Sequence, residues 1–513
     1  MSEDDQLPES LPSPPSPDND DLDGPPIPRA YPIVAWAVIG MVVASLFGIR
    51  ALAARLEEKQ QQNEAANEDE SGDLDAVTKL SFELPAKYII GAHQLMRQMG
   101  PMAGMQQQQL YEQAEELNRG PYPLRLRFAV LAGELSGPEA ALEKLAELDE
   151  AIERRKQEDK PVELTAADRR SYGLLKQLYE GYQADEKPPA GLTQQQSDQL
   201  VQHLGWFGKL ALVPPGLASA AERDPVLAPA IRTMAIIVFG VMLFLFLFSA
   251  GCLIWFGLIV TRKRGQLHSA LEHASPYAGI YVETFALWMV LFVLLSLIAG
   301  MLPLERFRML VTGLAMLSSL VALVWPVFRG VPWSTVRQDL GWWSGPRSWL
   351  NPVYALVSYC AAMPLLALGL LFVLIALQLQ GPPAPDEFTS AKMPSHPIVG
   401  QADGGWLTAI QMLLVAAVVA PIVEETVFRG LLYRYFRDST RLWGSASSVV
   451  GSMLFTSFLF AVIHPQGLLA VPALMALACG FALARELRGS LVPSMLAHGI
   501  HNGSICVLLF LVL

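Results

Sequence analysis

MAIIVFGVMLFLFLFSAGCLIWFGLIV, residues 234–260, contains no charged side chain and no proline. A surface helix of a water-soluble protein has a polar face, and this run has none. Its length exceeds the roughly 20 apolar residues that carry a helix across a bilayer core of about 30 Å. The solvent that decides this fold is therefore lipid. Similar runs follow at 280–301, 309–328, 353–379, 406–428, 446–464, 468–484 and 491–512, and one precedes at Tyr31–Ile49. The 468–484 run is the shortest and suits a tilted or re-entrant piece. Only helices and closed barrels satisfy their backbone groups in lipid, and runs this long specify helices. The expected fold is all-α: a polytopic transmembrane bundle of about 8–9 spans.

Between the first two spans the composition changes. Residues 56–229 are rich in Gln, Glu, Ala and Leu, and stretches such as PEAALEKLAELDEAIERRK (138–156) repeat apolar residues at helical spacing. Gly120-Pro121, Gly137-Pro138, Pro188-Pro189 and Pro214-Pro215 punctuate them. The expected structure is an inserted soluble domain of about six short helices. The helix pairs suggest a tetratricopeptide-like array, although no clean 34-residue period is present. Residues 1–29 are acidic and Pro-rich, lack the basic start of a secretory signal, and are expected to be disordered. Residues 30–50 then form a retained anchor, 230–339 a first group of spans and 340–513 a second.

The chain of 513 residues is 52% hydrophobic and 17% charged, with a net charge of -11 concentrated at the N-terminus and in 56–229. That balance argues against nucleic acid as a partner, and no P-loop or dinucleotide fingerprint is present. Cys252, Cys360, Cys479 and Cys506 lie far apart in apolar runs, which predicts small core residues rather than disulfides. His93, His203, His268, His273 and His396 sit in polar contexts and are expected to be solvated.

Positive charge sets orientation. Arg262, Lys263 and Arg264, then Arg329, Arg337 and Arg347, then Arg429, Arg434, Arg437 and Arg441, then Arg485 and Arg488 fall in alternate loops, and the intervening loops hold only Arg306, Arg308 and Lys392. The richer loops belong in the cytoplasm, so the helical domain is expected to be extracytoplasmic. Arg50, Arg55 and Lys59 after the first span oppose this locally. Long loops, however, translocate largely regardless of charge. Arg337–Trp349 (RQDLGWWSGPRSW) suits an interfacial elbow.

Ionisable groups within apolar helices are costly, so each is a functional candidate. Glu283 is one, in the third span. Three others cluster late in the chain. In Pro421–Gly430 (PIVEETVFRG), Glu425 and Arg429 are spaced to pair on one helix face, and Glu424 points elsewhere. His464 precedes Pro465, which would end or kink its helix. His498, His501 and Asn502 lie within one turn. Each alone reads equally as an interfacial or helix-packing feature. Gathered in one cavity they supply what amide hydrolysis needs: a carboxylate and an imidazole to polarise water, and donors for an oxyanion. With simple full-length spans, His464 and His498 lie at opposite ends of their helices. Convergence therefore requires shortened or broken helices, near Pro421, Pro465, Pro472 and Pro493, around a hydrated cavity.

The motifs EExxxR (Glu424, Glu425, Arg429), FxxxH (Phe460, His464) and HxxxN (His498, Asn502), in this order, resemble the CPBP family of type II CAAX prenyl endopeptidases and bacteriocin-processing or Abi proteins. The resemblance covers about 340–513. It implies that Glu424 and His464 activate water, that His498 and Asn502 form an oxyanion hole, and that Glu425, Arg429, Phe460 and His501 support them. It leaves open a divalent metal such as zinc, with Glu424, His464 and His498 as candidate ligands, or a metal-free mechanism. The large helical insertion is not part of that family's usual catalytic unit. The implied activity is an intramembrane endopeptidase, with membrane lipids, a protein or peptide substrate and a protein bound by 56–229 as partners. A non-catalytic scaffold and a transporter are the alternatives; the transporter lacks visible inverted repeats.

Overall fold

The computed structural model describes residues 29–65, 76–98, 104–160, 162, 164–265, 268–271, 273–380, 388 and 405–512. Residues 1–28 of the acidic tail, Lys392 and His396 lie outside the described residues. Among the described residues all regular elements are helical, and nine segments are long and apolar enough to cross a membrane. The protein is an all-α, multi-pass membrane bundle.

The first helix, α1 (Pro32–Ala65), is followed by α2 (Ala76–Gln98), α3 (Gly104–Glu115), α4 (Tyr122–Ser136), α5 (Pro138–Gln157), α6 (Ala166–Gln183), α7 (Gln194–Leu204) and α8 (Trp206–Ala211). The polar insertion thus holds seven helices where about six were expected. The 3–4 spacing of Ala141, Leu145 and Leu148 turns one stripe of α5 inward. Phe82, Leu126, Phe128, Leu178 and Phe207 fill the shared core. Capping boxes at Thr165/Asp168 and Thr193/Gln196 start α6 and α7, each worth about 1 kcal/mol. His93 and His203, expected to be solvated, are not. His93 is 7% exposed on the inner face of α2, and His203 meets Ser171 at 2.8 Å and Asp168 at 3.3 Å. Helical winding carries them inward despite their polar neighbours. His268 and His273 are exposed as expected.

The boundary expected at 229/230 falls inside one unbroken helix, α9 (Ala220–Lys263). Its first turns belong to the domain core, with Leu227 and Ala230 buried and Arg223 donating to Glu134 at 2.5 Å. Further on, Phe239, Phe246, Leu253 and Phe256 are 67–72% exposed, a face made for lipid. α1 also continues beyond its apolar part, which ends at Leu52. α9 joins the membrane and polar parts without a break.

The remaining spans are α10 (Ala278–Met301), α11 (Glu305–Phe328), α13 (Asn351–Gln380), α14 (Gly405–Ser439), α15 (Ser445–Ile463), α16 (Val471–Arg488) and α17 (Val492–Val512), with a short α12 (Trp333–Leu340) between α11 and α13. The shortest run, for which a tilted or re-entrant piece was one reading, is entered through a tight turn at Leu468–Ala470 and is long enough to span. Small residues let backbones approach: a Cβ on Gly480 of α16 would lie 2.4 Å from the Ala362 side chain of α13. Cys360 and Cys506 are buried as expected, whereas Cys252 is exposed on α9.

The expected elbow, 337–349, begins in α12, which buries Val336 and Leu340 and ends at the left-handed Gly341. Trp342 then donates to Thr426 at 3.0 Å, wedging the elbow against α14. At this basic end Glu486 accepts from Tyr433 at 2.7 Å and from Arg437 at 3.1 Å. Glu283 is paired with Arg329 and accepts from Trp325 at 3.0 Å, beside a 410 Å³ cleft between α1 and α10.

Candidate active site

Helix α14 is not uniformly wound. It is π-helical at Val415–Val419 and again at Glu425–Leu432, a winding found mostly at functional sites. Pro421 has no N–H to give to the turn before it. The Ala416 carbonyl accepts instead from Asn502 Nδ2 of α17, at 2.9 Å. Gly499 makes this approach feasible, because a Cβ there would lie 2.5 Å from the Ala417 oxygen.

The second π segment carries a fully buried ion pair, Arg429 to Glu425 Oε1 at 3.0 Å. Arg429 also donates to the Ala478 carbonyl at 3.0 Å, and its guanidinium lies 4.7 Å from the centre of the Phe460 ring and 5.4 Å from that of Phe481. A buried charge needs such partners on every side. Glu425 Oε1 accepts as well from His498 Nδ1, at 2.9 Å. Phe481 stacks on the His498 ring at 4.8 Å and 17°, fixing its plane.

α15 stops at Ile463, and His464 is extended (φ -66, ψ 145). Its Nδ1 lies 2.6 Å from the Phe460 carbonyl. A carbonyl only accepts, so Nδ1 carries the proton and Nε2 presents a lone pair in the neutral ring. Nε2 of His464 lies 3.7 Å from Glu424 Oε2, and Nε2 of His498 lies 3.8 Å from the same oxygen. That oxygen is buried and has no hydrogen-bond partner among the described residues.

The structure thus brings together Glu424, Glu425, Arg429, Phe460, His464 and His498. Asn502 lies one turn beyond His498 and is bonded to Ala416. His501 faces α13, with Nδ1 3.3 Å from Tyr359 Oη. α15 ends at Ile463, close to the limit expected, and the extended His464 beyond it meets Glu424. The span limits move as expected, most at α14, which runs to Ser439. The side chains of Glu424 and His464 keep 17% and 16% exposure, while those of Glu425 and Arg429 keep none. Phe481 and Tyr359 were not legible as site residues, since aromatic rings in apolar runs carry no signal. Among the described residues, no group of three or more His, Cys, Asp or Glu side chains is arranged to hold a metal ion. Glu424, His464 and His498 therefore give the metalloprotease reading no support, and no step is routed through a metal.

Residues 406–504 match the family model for type II CAAX prenyl endopeptidase Rce1-like proteins. This segment is an Rce1-like domain. It holds every residue of the cluster, and it is shorter than the 340–513 expected. A comparison with curated proteins gave no match, nor did one with solved structures. The match supports a CAAX-type protease in the C-terminal part of this multi-pass membrane protein.

Proposed function

We propose that the chain is an intramembrane endopeptidase in which Glu424 is the general base. A water between Glu424 Oε2 and His464 Nε2 gives up its proton as it attacks the scissile carbonyl. His498, as an imidazolium with its Nδ1 proton hydrogen-bonded to Glu425, donates from Nε2 to the developing oxyanion, together with the second amide hydrogen of Asn502. The captured proton passes to the leaving amine. Glu425 and Arg429 hold His498 in place, and Phe460 packs beneath. The 76–211 helices, on the extracytoplasmic side by the charge distribution, capture a protein substrate or partner.

The observation that carries this reading is the unpartnered oxygen of Glu424 between two imidazoles. A buried acceptor left open costs about 1–3 kcal/mol, a cost that reactivity accounts for. The matching family is named for CAAX prenyl endopeptidases, so prenylated C-terminal peptides are the first substrates to try, before bacteriocin leaders and membrane anchors. The test is comparative proteomics of membranes carrying the wild type or Glu424→Gln. Proteins that stay uncut only with the variant are expected; identical cleavage patterns would leave the scaffold reading standing.

A further inference from the structure

The end of α15 poses a problem that the Rce1-like segment does not itself solve. The last carbonyls of a helix lack intrahelical donors, and little water is at hand in a bilayer to replace them. Here the next residues make matters worse. His464 is extended, its N–H turns to Ala461 at 3.3 Å, and Pro465 has no N–H. The Phe460 carbonyl is met by the His464 ring. The Ile463 carbonyl is met from outside the segment, by the guanidinium of Arg50.

Arg50 belongs to α1, some 400 residues upstream. Its placement is not incidental, because α1 packs on α10 and meets the protease helices at two levels. Near the basic end Trp36 donates to Tyr435 Oη at 3.1 Å. Ala35 and Ile39 are buried in the same core as Phe428 and Phe460. From Trp36 to Arg50 the helix rises roughly 21 Å at 1.5 Å per residue, which brings the guanidinium to the level of Ile463. A cation at a helix C-terminus is also favoured by the partial negative charge there.

We infer that Arg50 is a positioning residue of the protease site, holding the end of α15 so that His464 meets Glu424. The peptide that Arg50 grips joins Ile463 to His464, so its orientation sets where the imidazole points. The site is then incomplete without the first helix. That helix runs unbroken to Ala65, beyond its apolar part, which ends at Leu52. The inference rests on the reading of Glu424 and His464 as the reacting pair.

The experiment uses the full chain in liposomes and the substrate that accumulates in Glu424→Gln membranes. Turnover, KM, pH profile and thermal melting are measured for Arg50→Ala, Arg50→Lys and, as a control on the same helix, the exposed Arg55→Ala. Arg50→Ala is expected to lower kcat roughly 10- to 100-fold with KM nearly unchanged and a displaced pH profile. Arg50→Lys, whose ammonium still donates to a carbonyl, recovers most of kcat, and Arg55→Ala matches the wild type. Wild-type kcat and pH profile in Arg50→Ala, or a loss fully explained by a lower fraction of folded protein, overturns the inference. If Glu424→Gln leaves no uncut substrate, the protease reading itself has failed and this inference falls with it.

Discussion

Glu425 and Arg429 are both fully buried, and each satisfies the other's charge. Removing one partner of such a pair leaves an uncompensated charge, at a cost of about 3–5 kcal/mol. Arg429→Leu should therefore lower the melting temperature of the purified protein strongly, while Glu424→Gln, which breaks no hydrogen bond among the described residues, should melt near the wild type. Equal melting of Arg429→Leu and the wild type would contradict the bracing role. These residues were legible in the sequence because charge in an apolar run has few explanations. Phe481 was not, although its ring fixes His498, because a phenylalanine among apolar residues looks the same whether it faces lipid or an imidazole. His93 was misread for a related reason: the winding of α2 turns it into the domain core, near Arg97 and Arg223.

At the scale of elements, the helix count and most span limits followed from the length of apolar runs. The winding of α14 did not, since nothing in VAAVVAPIVEETVFRGLL except Pro421 distinguishes π from α. The 229/230 boundary failed because composition changes along α9 while the helix does not. The fit of α17 on α14 depends on Gly499, and one turn away Gly503 has 3.4 Å of room to the Ala417 side chain. Gly499→Ala should push the helices apart, cost about 1–3 kcal/mol as overpacking does, and draw His498 away from Glu425. Gly503→Ala should be tolerated. Melting and cleavage assays of the two variants, side by side, check this; equal behaviour would sink the close-approach argument.

At the scale of the whole molecule, one unbroken helix, α9, joins a polar helical domain to the membrane bundle. The domain has its own pH response. Burial first, then Arg97 and Arg223, hold the His93 imidazole below the ordinary histidine range. The unfolded chain therefore takes up a proton, below about pH 6.5, that the folded domain resists. Stability from this group is present above that pH and is lost as the pH falls through it. Glu134, whose carboxyl burial raises, acts in the opposite direction, so the wild type must be compared with His93→Leu. Melting between pH 7.5 and 5.5 should fall more for the wild type than for the variant, and parallel curves would refute the assignment.

The account as a whole stands on Glu424. The direct measurement is turnover by purified wild type and Glu424→Gln, reconstituted in liposomes at matched folded fraction, on one identified substrate. A fall of about 10²- to 10⁴-fold, the range for loss of a general base, is predicted, with melting unchanged. Turnover by Glu424→Gln near that of the wild type would contradict it.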